Sequence, residues 1–290
     1  MGERGKFGAM PLTILDTLSL PGDPYKPNDD SFGHADTAAV VLDGATSLGD
    51  PLMPGDSDAA WIAHFGARRL MAHVRDGDAP RDALRHALAD AEKSFQALRR
   101  RAPESRWETP CASMAFASQA DGGFDFLWYG DCAGLLLRPN ETVEVLGESF
   151  AKKAREANNA ARLAKEKGIA PASGANRPEY LPALRKARDR VNTEGHWAFS
   201  PDARAAEHVA VKRIAAPEGS NLLLASDGFL ALATDYGAHT VDTLMATALG
   251  KGLAALAEEL RAIEEADAEG HKFPRFKKSD DATAVLLRLA

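Results

Sequence analysis

A chain of 290 residues with 45% hydrophobic content is long enough to bury a substantial core, and its net charge of −7 argues against a nucleic-acid-binding protein. Its two cysteines, Cys111 and Cys132, are too few for a disulfide framework or a thiolate metal site, so a reducing, cytoplasmic setting is expected. The N-terminal apolar stretch is broken by Thr13, Asp16 and Thr17, too short and polar for a signal or membrane segment, and Lys6 stands where a myristoylation motif wants Ser or Thr.

In chain order, short apolar runs bounded by turn formers predict strands over 11–20, 37–44, 112–119, 123–131, 133–139, 142–146, 208–214, 220–228 and 281–290. Turn signals at 121–123 and 138–141 join four of them, which implies a continuous antiparallel meander. Helical periodicity lies between these runs. After the N-cap candidate Ser57, the residues Trp61, Ile62, Phe65, Leu70 and Val74 share one face; after Pro80, so do Leu84, Leu88, Ala91, Phe95 and Leu98. Further helices are expected over 148–168, 178–192, 239–250 and 252–266. The order implies an α+β domain of antiparallel sheets covered by helix pairs, with no repeat and no internal boundary, so residues 1–290 read as one domain.

Charge is unevenly spread. Residues 151–190 carry eleven Lys or Arg against four acids, a local +7 that leaves −14 for the remainder. This basic segment belongs to a helical insertion at about 148–200 and reads either as a device that steers an anionic partner or as a pair of solvated surface helices. With Tyr180 its sole aromatic, it does not suit nucleic acid.

Aspartates recur at strand ends: Asp43 in VVLDG, Asp131 after LWYG, Asp227 in LLLASDG, and Asp280 and Asp281 before the last strand, with Asp29 and Asp30 ahead of the second. A carboxylate at the mouth of a buried strand is costly unless its charge is compensated. Oxygen-rich sets of this kind suit hard divalent cations, Mg2+ or Mn2+. Zinc is not expected, because the eight histidines show no ligand spacing, and His34 reads as a solvated loop residue.

The order Asp29-Asp30, Asp43-Gly44, Gly130-Asp131, Ser226-Asp227-Gly228 and Asp280-Asp281-Ala282-Thr283 resembles the metal-dependent type 2C family of protein serine/threonine phosphatases, over residues 11–290. The resemblance implies an α-β-β-α sandwich and a phosphatase acting on phosphoserine or phosphothreonine of a protein partner, with no membrane partner. It implies that Asp43 bridges two metal ions, that Asp29 and the Gly44 carbonyl complete one, that Asp227 and Asp280 hold the other, that Asp30 supports bound water, and that Asp131 helps hold a third, weaker ion. Two such ions activate a shared water for in-line attack, so no side-chain nucleophile is required.

Several positions depart from the family pattern. Ala45 and Thr46 follow Asp43-Gly44, where a His often supplies acid; Tyr25 stands where an arginine grips phosphate, leaving Lys26 as the candidate cation; Cys132 and Ala133 replace Ser-Arg, and Ala231 replaces a third-metal Asp. Lysine lacks the bidentate fork of arginine. The alternatives are therefore a catalytically reduced member that binds and regulates a phosphorylated partner, and a phosphatase for a small metabolite.

Overall fold

Strand pairing in the computed structural model, which describes residues 12–150, 181–273, 275 and 277–290, divides the apolar runs between two five-stranded antiparallel sheets. The strands are β1 (Leu12–Leu20), β2 (Asp30–Ala35), β3 (Ala38–Gly44), β4 (Ala112–Ala120), β5 (Gly123–Tyr129), β6 (Ala133–Leu137), β7 (Glu144–Leu146), β8 (Ala210–Ala215), β9 (Asn221–Ala225) and β10 (Ala282–Leu289). One sheet has the order β1-β10-β9-β6-β7 and the other β2-β3-β4-β5-β8. The helices are α1 (Asp58–Arg75), α2 (Pro80–Leu98), α3 (Leu181–Arg188), α4 (Asp227–Thr234), α5 (Val241–Lys251) and α6 (Leu253–Ala266).

The period-2 alternation of each strand decides which layer a residue enters. On β3, Ala38, Val40 and Leu42 join Ile62, Leu70, Leu84 and Leu88 of α1 and α2 in one core. Ala39 and Val41, on the other face, meet Val285, Leu287, Leu222 and Leu224 between the sheets. On the second sheet Leu223, Ala225, Ala284 and Leu286 turn outward to α4, α5 and α6. Three apolar layers thus separate four structural ones, the α-β-β-α sandwich.

Two expectations are corrected. The four runs from 112 to 146 do not form one meander: β4 and β5 pair in one sheet, β6 and β7 in the other. The chain changes sheet at Gly130, whose φ of +68° a side chain would strain and where an added Cβ would lie 2.2 Å from Ser113 Oγ. Short connections cannot by themselves say whether the next strand pairs or crosses. The second correction is β2, an extra strand in a segment whose Asp, Gly and His content reads as loop; pairing along β3 overrides that weak propensity.

Of the basic segment, residues 181–188 form α3, and the helix expected over 148–168 lies almost wholly outside the described residues. The chain returns to the sandwich at Phe199, which is fully buried and exchanges backbone hydrogen bonds with Ala112 at 2.8 and 3.0 Å. Its ring lies where an added Cβ on Gly66 of α1 would sit, 2.5 Å away. Gly66→Ala should therefore destabilise the protein by about 1–3 kcal/mol, and Gly66→Ala combined with Phe199→Leu should lose less than the sum of the two single changes. Urea unfolding of the three variants tests this, and strict additivity would disprove the contact.

Candidate metal-dependent active site

On β3 the alternation that sends Ala39 and Val41 between the sheets sends Asp43 there as well, at the point where the apolar layer runs out. Asp30 is its direct cross-strand partner on β2, and Ser113 on β4 is its neighbour on the other side. From the facing sheet, Cys132, Ser226 and Thr283 close the same end and are fully buried. The site is thus the polar end of the inter-sheet layer.

Each further carboxylate is delivered by a turn at that end. Asp131 follows the Gly130 crossing and accepts a hydrogen bond from Ser113. Asp227 opens α4 behind its N-cap Ser226. Asp280 precedes β10. Asp29 accepts from the Ser57 hydroxyl, and its carbonyl accepts from the Gly44 amide at 2.9 Å. Gly44 is held so closely that an added Cβ would lie 2.3 Å from the Ala59 carbonyl oxygen.

Asp281 has a different role from its neighbour. Its two carboxylate oxygens accept the backbone amides of Gly22 and Asp29 at 2.6 and 2.7 Å, which ties the loop before β2 to the start of β10. Gly228 makes this approach feasible, since an added Cβ would stand 2.0 Å from the Asp281 carbonyl oxygen.

The electrostatics follow from burial of like charges. Asp30 is 1% exposed and its Oδ2 has no hydrogen-bond partner. Burial, and then Asp281, Asp280 and Asp227, push its carboxyl well above the usual range against the help of Ser226. Asp43 is pushed up in the same sense by burial, Asp30, Asp227, Asp131 and Asp280. Asp29 is raised chiefly by burial. Cys132 is held protonated by burial and by Asp43, Asp131, Asp30 and Asp227, so its thiol is not a poised nucleophile.

Among the described residues, a lysine answers these acids. Lys277 Nζ lies 2.7 Å from Asp280 Oδ1, and although burial favours its neutral form, Asp280, Asp281 and Asp43 hold it charged beyond the usual lysine range. Sequence reasoning passed over it, because a lysine in KKSDD reads as part of a solvated charged loop. Lys26, singled out instead, is 75% exposed and pairs with Asp23 at 3.4 Å, beside the 95% exposed Tyr25. His34 lies on β2, stacked on Phe32.

The loop after Gly44 is fixed from the basic segment. Arg185 of α3 donates to the Leu48 carbonyl at 2.7 and 3.1 Å and stacks over Trp107 at 4.1 Å. Arg188 lines a small cleft with Ala45, Ser47 and Trp107. At least part of the positive charge in 151–190 therefore docks on the protein itself.

All-oxygen donors, an orphaned buried carboxylate oxygen and carboxyls raised for want of countercharge fit hard divalent ions. Among the described residues no three of these carboxylates bring oxygens all within 4.8 Å of one another, as expected for mutually repelling charges.

A four-layer sandwich with carboxylates gathered at one end of its inter-sheet layer defines a class of protein suited to divalent cations. The sequence profile described as Protein phosphatase 2C matches residues 25–262, and the chain belongs to that family, whose members are metal-dependent protein phosphatases. The fold is similar to the serine/threonine phosphatase PstP/Ppp of Mycobacterium tuberculosis, at 17% identity and TM-score 0.57, covering 97% of this chain and 99% of that one. It is also similar to the PstP catalytic domain in complex with two manganese ions, at 18% identity and TM-score 0.53, covering 96% and 98%. A third similar structure is the phosphatase MsPP of Mycobacterium smegmatis in complex with cacodylate, at 17% identity and TM-score 0.52, covering 96% and 100%. No curated protein sequence matches. Among the described residues no helix is long and apolar enough to cross a membrane.

The raised carboxyls set a pH dependence. A carboxyl with a folded pKa above its unfolded value stabilises the fold fully below the unfolded value, and that contribution is lost as pH rises through the folded one. In metal-free protein, Asp30→Asn should therefore gain thermal stability relative to wild type as pH rises from about 4 to 7, and excess Mg2+ should shrink the gap. Thermal melts across that range check it; a gap that does not change with pH would contradict the assignment.

Proposed function

We propose that this protein is an active phosphatase that hydrolyses phosphoserine or phosphothreonine on protein substrates. The observation that carries the reading is the convergence of Asp29, Asp30, Asp43, Asp131, Asp227 and Asp280 on one end of the inter-sheet layer. In this reading Asp43 is shared between two sites, Asp29 and the Gly44 carbonyl complete one, Asp227 and Asp280 form the other, and Asp131 contributes to a third, weaker one. When bound, Mg2+ or Mn2+ supplies Lewis acidity toward the phosphoryl group and a water of lowered pKa for in-line attack.

The chain's own groups take the remaining work. Asp30, with one oxygen unpartnered and buried beside Asp43, accepts a hydrogen bond from bound water and orients it. Lys277 lies among the acids and meets phosphate oxygens as a point charge; Lys26, exposed on the loop before Asp29, meets them from outside. The basic segment draws phosphorylated protein toward the site at low ionic strength.

A second reading, a reduced member that binds a phosphorylated partner without turnover, draws on the same lysine, because Lys277 already neutralises Asp280. One assay separates the two. Hydrolysis of p-nitrophenyl phosphate and of a phosphothreonine peptide is expected with Mn2+ or Mg2+ and not with EDTA, and a folded, metal-loaded protein with no turnover would favour the second reading. Asp43→Asn should lower kcat by about 100-fold or more while the fold is retained, since even outer partners of a metal commonly cost 10–100-fold. Lys277→Ala should raise KM more than Lys26→Ala does; the reverse order would return the phosphate-gripping role to Lys26.

A further inference from the structure

At the end of α1 away from Ser57 and the carboxylate site, the helix closes in a tight turn built by its own backbone. The Gly77 amide donates to the Val74 carbonyl at 3.1 Å and the Asp78 amide to the His73 carbonyl at 3.1 Å, with Gly77 at φ +93°. This pair of bonds is the Schellman arrangement, in which glycine takes the left-handed position and the following residue is folded back over the last helical turn. Asp78 is thereby brought beneath His73, and α2, starting at Pro80, brings His86 alongside.

Three ligand atoms, one each from His73, Asp78 and His86, lie within 4.8 Å of one another. His73 Nδ1 stands 3.5 Å from Asp78 Oδ2, and His86 Nδ1 2.7 Å from the same oxygen. The two imidazoles are 5.3 Å apart between ring centres. Tetrahedral zinc with nitrogen and oxygen at about 2.0–2.2 Å needs donors about 3.4 Å apart, within a small side-chain rotation of this arrangement.

The surroundings of His73 orient it for the role. Its Nε2 donates to Asp90 Oδ2 at 2.8 Å, and Arg69 Nε donates to the same oxygen at 2.7 Å. Although burial opposes ionisation of Asp90, the bonds from His73 and Arg69 hold its carboxyl below the usual range. With Nε2 bonded to Asp90, Nδ1 is the ring nitrogen turned toward Asp78. A carboxylate behind a histidine is the outer arrangement that fixes ring orientation and raises ligand basicity at metal sites.

We propose that His73, Asp78 and His86 form a second, independent metal site that takes one zinc-class transition ion, with Asp90 supporting His73 and with an open fourth position. The ion would take the place of the proton that His86 Nδ1 now donates to Asp78, and that proton would leave to solvent. The donor chemistry separates it from the catalytic centre, since imidazole selects zinc, cobalt or nickel where an all-carboxylate set selects magnesium or manganese. His73 and His86 stand on successive helices without a recognisable ligand spacing in sequence, and the helical hairpin makes them neighbours. The ion would clip α1 to α2, the helix pair that backs β3. This inference does not depend on the phosphatase reading.

Co2+ titration of the full-length protein in excess Mg2+ tests it, read by visible absorption and by equilibrium dialysis. Wild type should bind one Co2+ with the intense bands of a four-coordinate ion, and Asp43→Asn should keep it. His86→Ala, at a half-exposed position that the fold tolerates, should lose that equivalent, and Asp90→Ala should weaken it about 10–100-fold. Zn2+ should raise the Tm of wild type and not of His86→Ala. Equal Co2+ stoichiometry in His86→Ala and wild type, loss of the bands in Asp43→Asn, or absence of the bands from wild type would each overturn the proposal.

Discussion

Like charges confined to one end of an otherwise apolar layer are the constraint around which the structure is organised. Asp30 and Asp43 share a register pair, Asp131, Asp227 and Asp280 stand close enough to raise the carboxyls of one or both, and burial raises them further. Hydrogen bonds from Ser226, Ser113 and Ser57 offset this repulsion only in part, and a cation, whether a metal ion or the Lys277 ammonium, supplies the further compensation. The remainder of the fold has to hold these acids together against their repulsion.

It does so with backbone contacts that leave no room for side chains. Gly44, Gly130 and Gly228 each sit where a Cβ would meet another atom at 2.3 Å or less, and each adjoins one of the acids. Asp281 adds an ionic clamp by accepting two amides from the loop before β2. The cost of gathering the carboxylates is thus spread over rigid main-chain geometry, whereas the loop at 45–50 depends on Arg185, a contact made by a side chain from the basic segment.

Much of this was legible in the sequence, and the reasons are specific. Asp43, Asp131 and Asp227 stand out because each ends or closely follows a run too apolar to be anything but a buried strand, and helices α1 and α2 announce themselves through the spacing from Trp61 to Val74 and from Leu84 to Leu98. What failed was whatever depends on partners distant in the chain. The chain passes from one sheet to the other at Gly130, packed against Ser113; β2 is a strand because it pairs along β3; Lys277 joins the acids because the turn before β10 brings it to Asp280, Asp281 and Asp43. Lys26 attracted attention by its distance from Asp29 in sequence, yet its side chain lies in solvent with Asp23.

The position of β10 has a temporal consequence. This strand follows β1 to β9 in chain order, yet it lies between β1 and β9, and the residues just ahead of it supply Asp280 and the Asp281 clamp. A chain emerging from the ribosome can form the β2-β3-β4-β5-β8 sheet with α1 and α2, but the first and ninth strands have no partner between them until β10 appears. Chains that stop short of β10 are therefore without the completed acid cluster, which assembles only once this strand docks between β1 and β9.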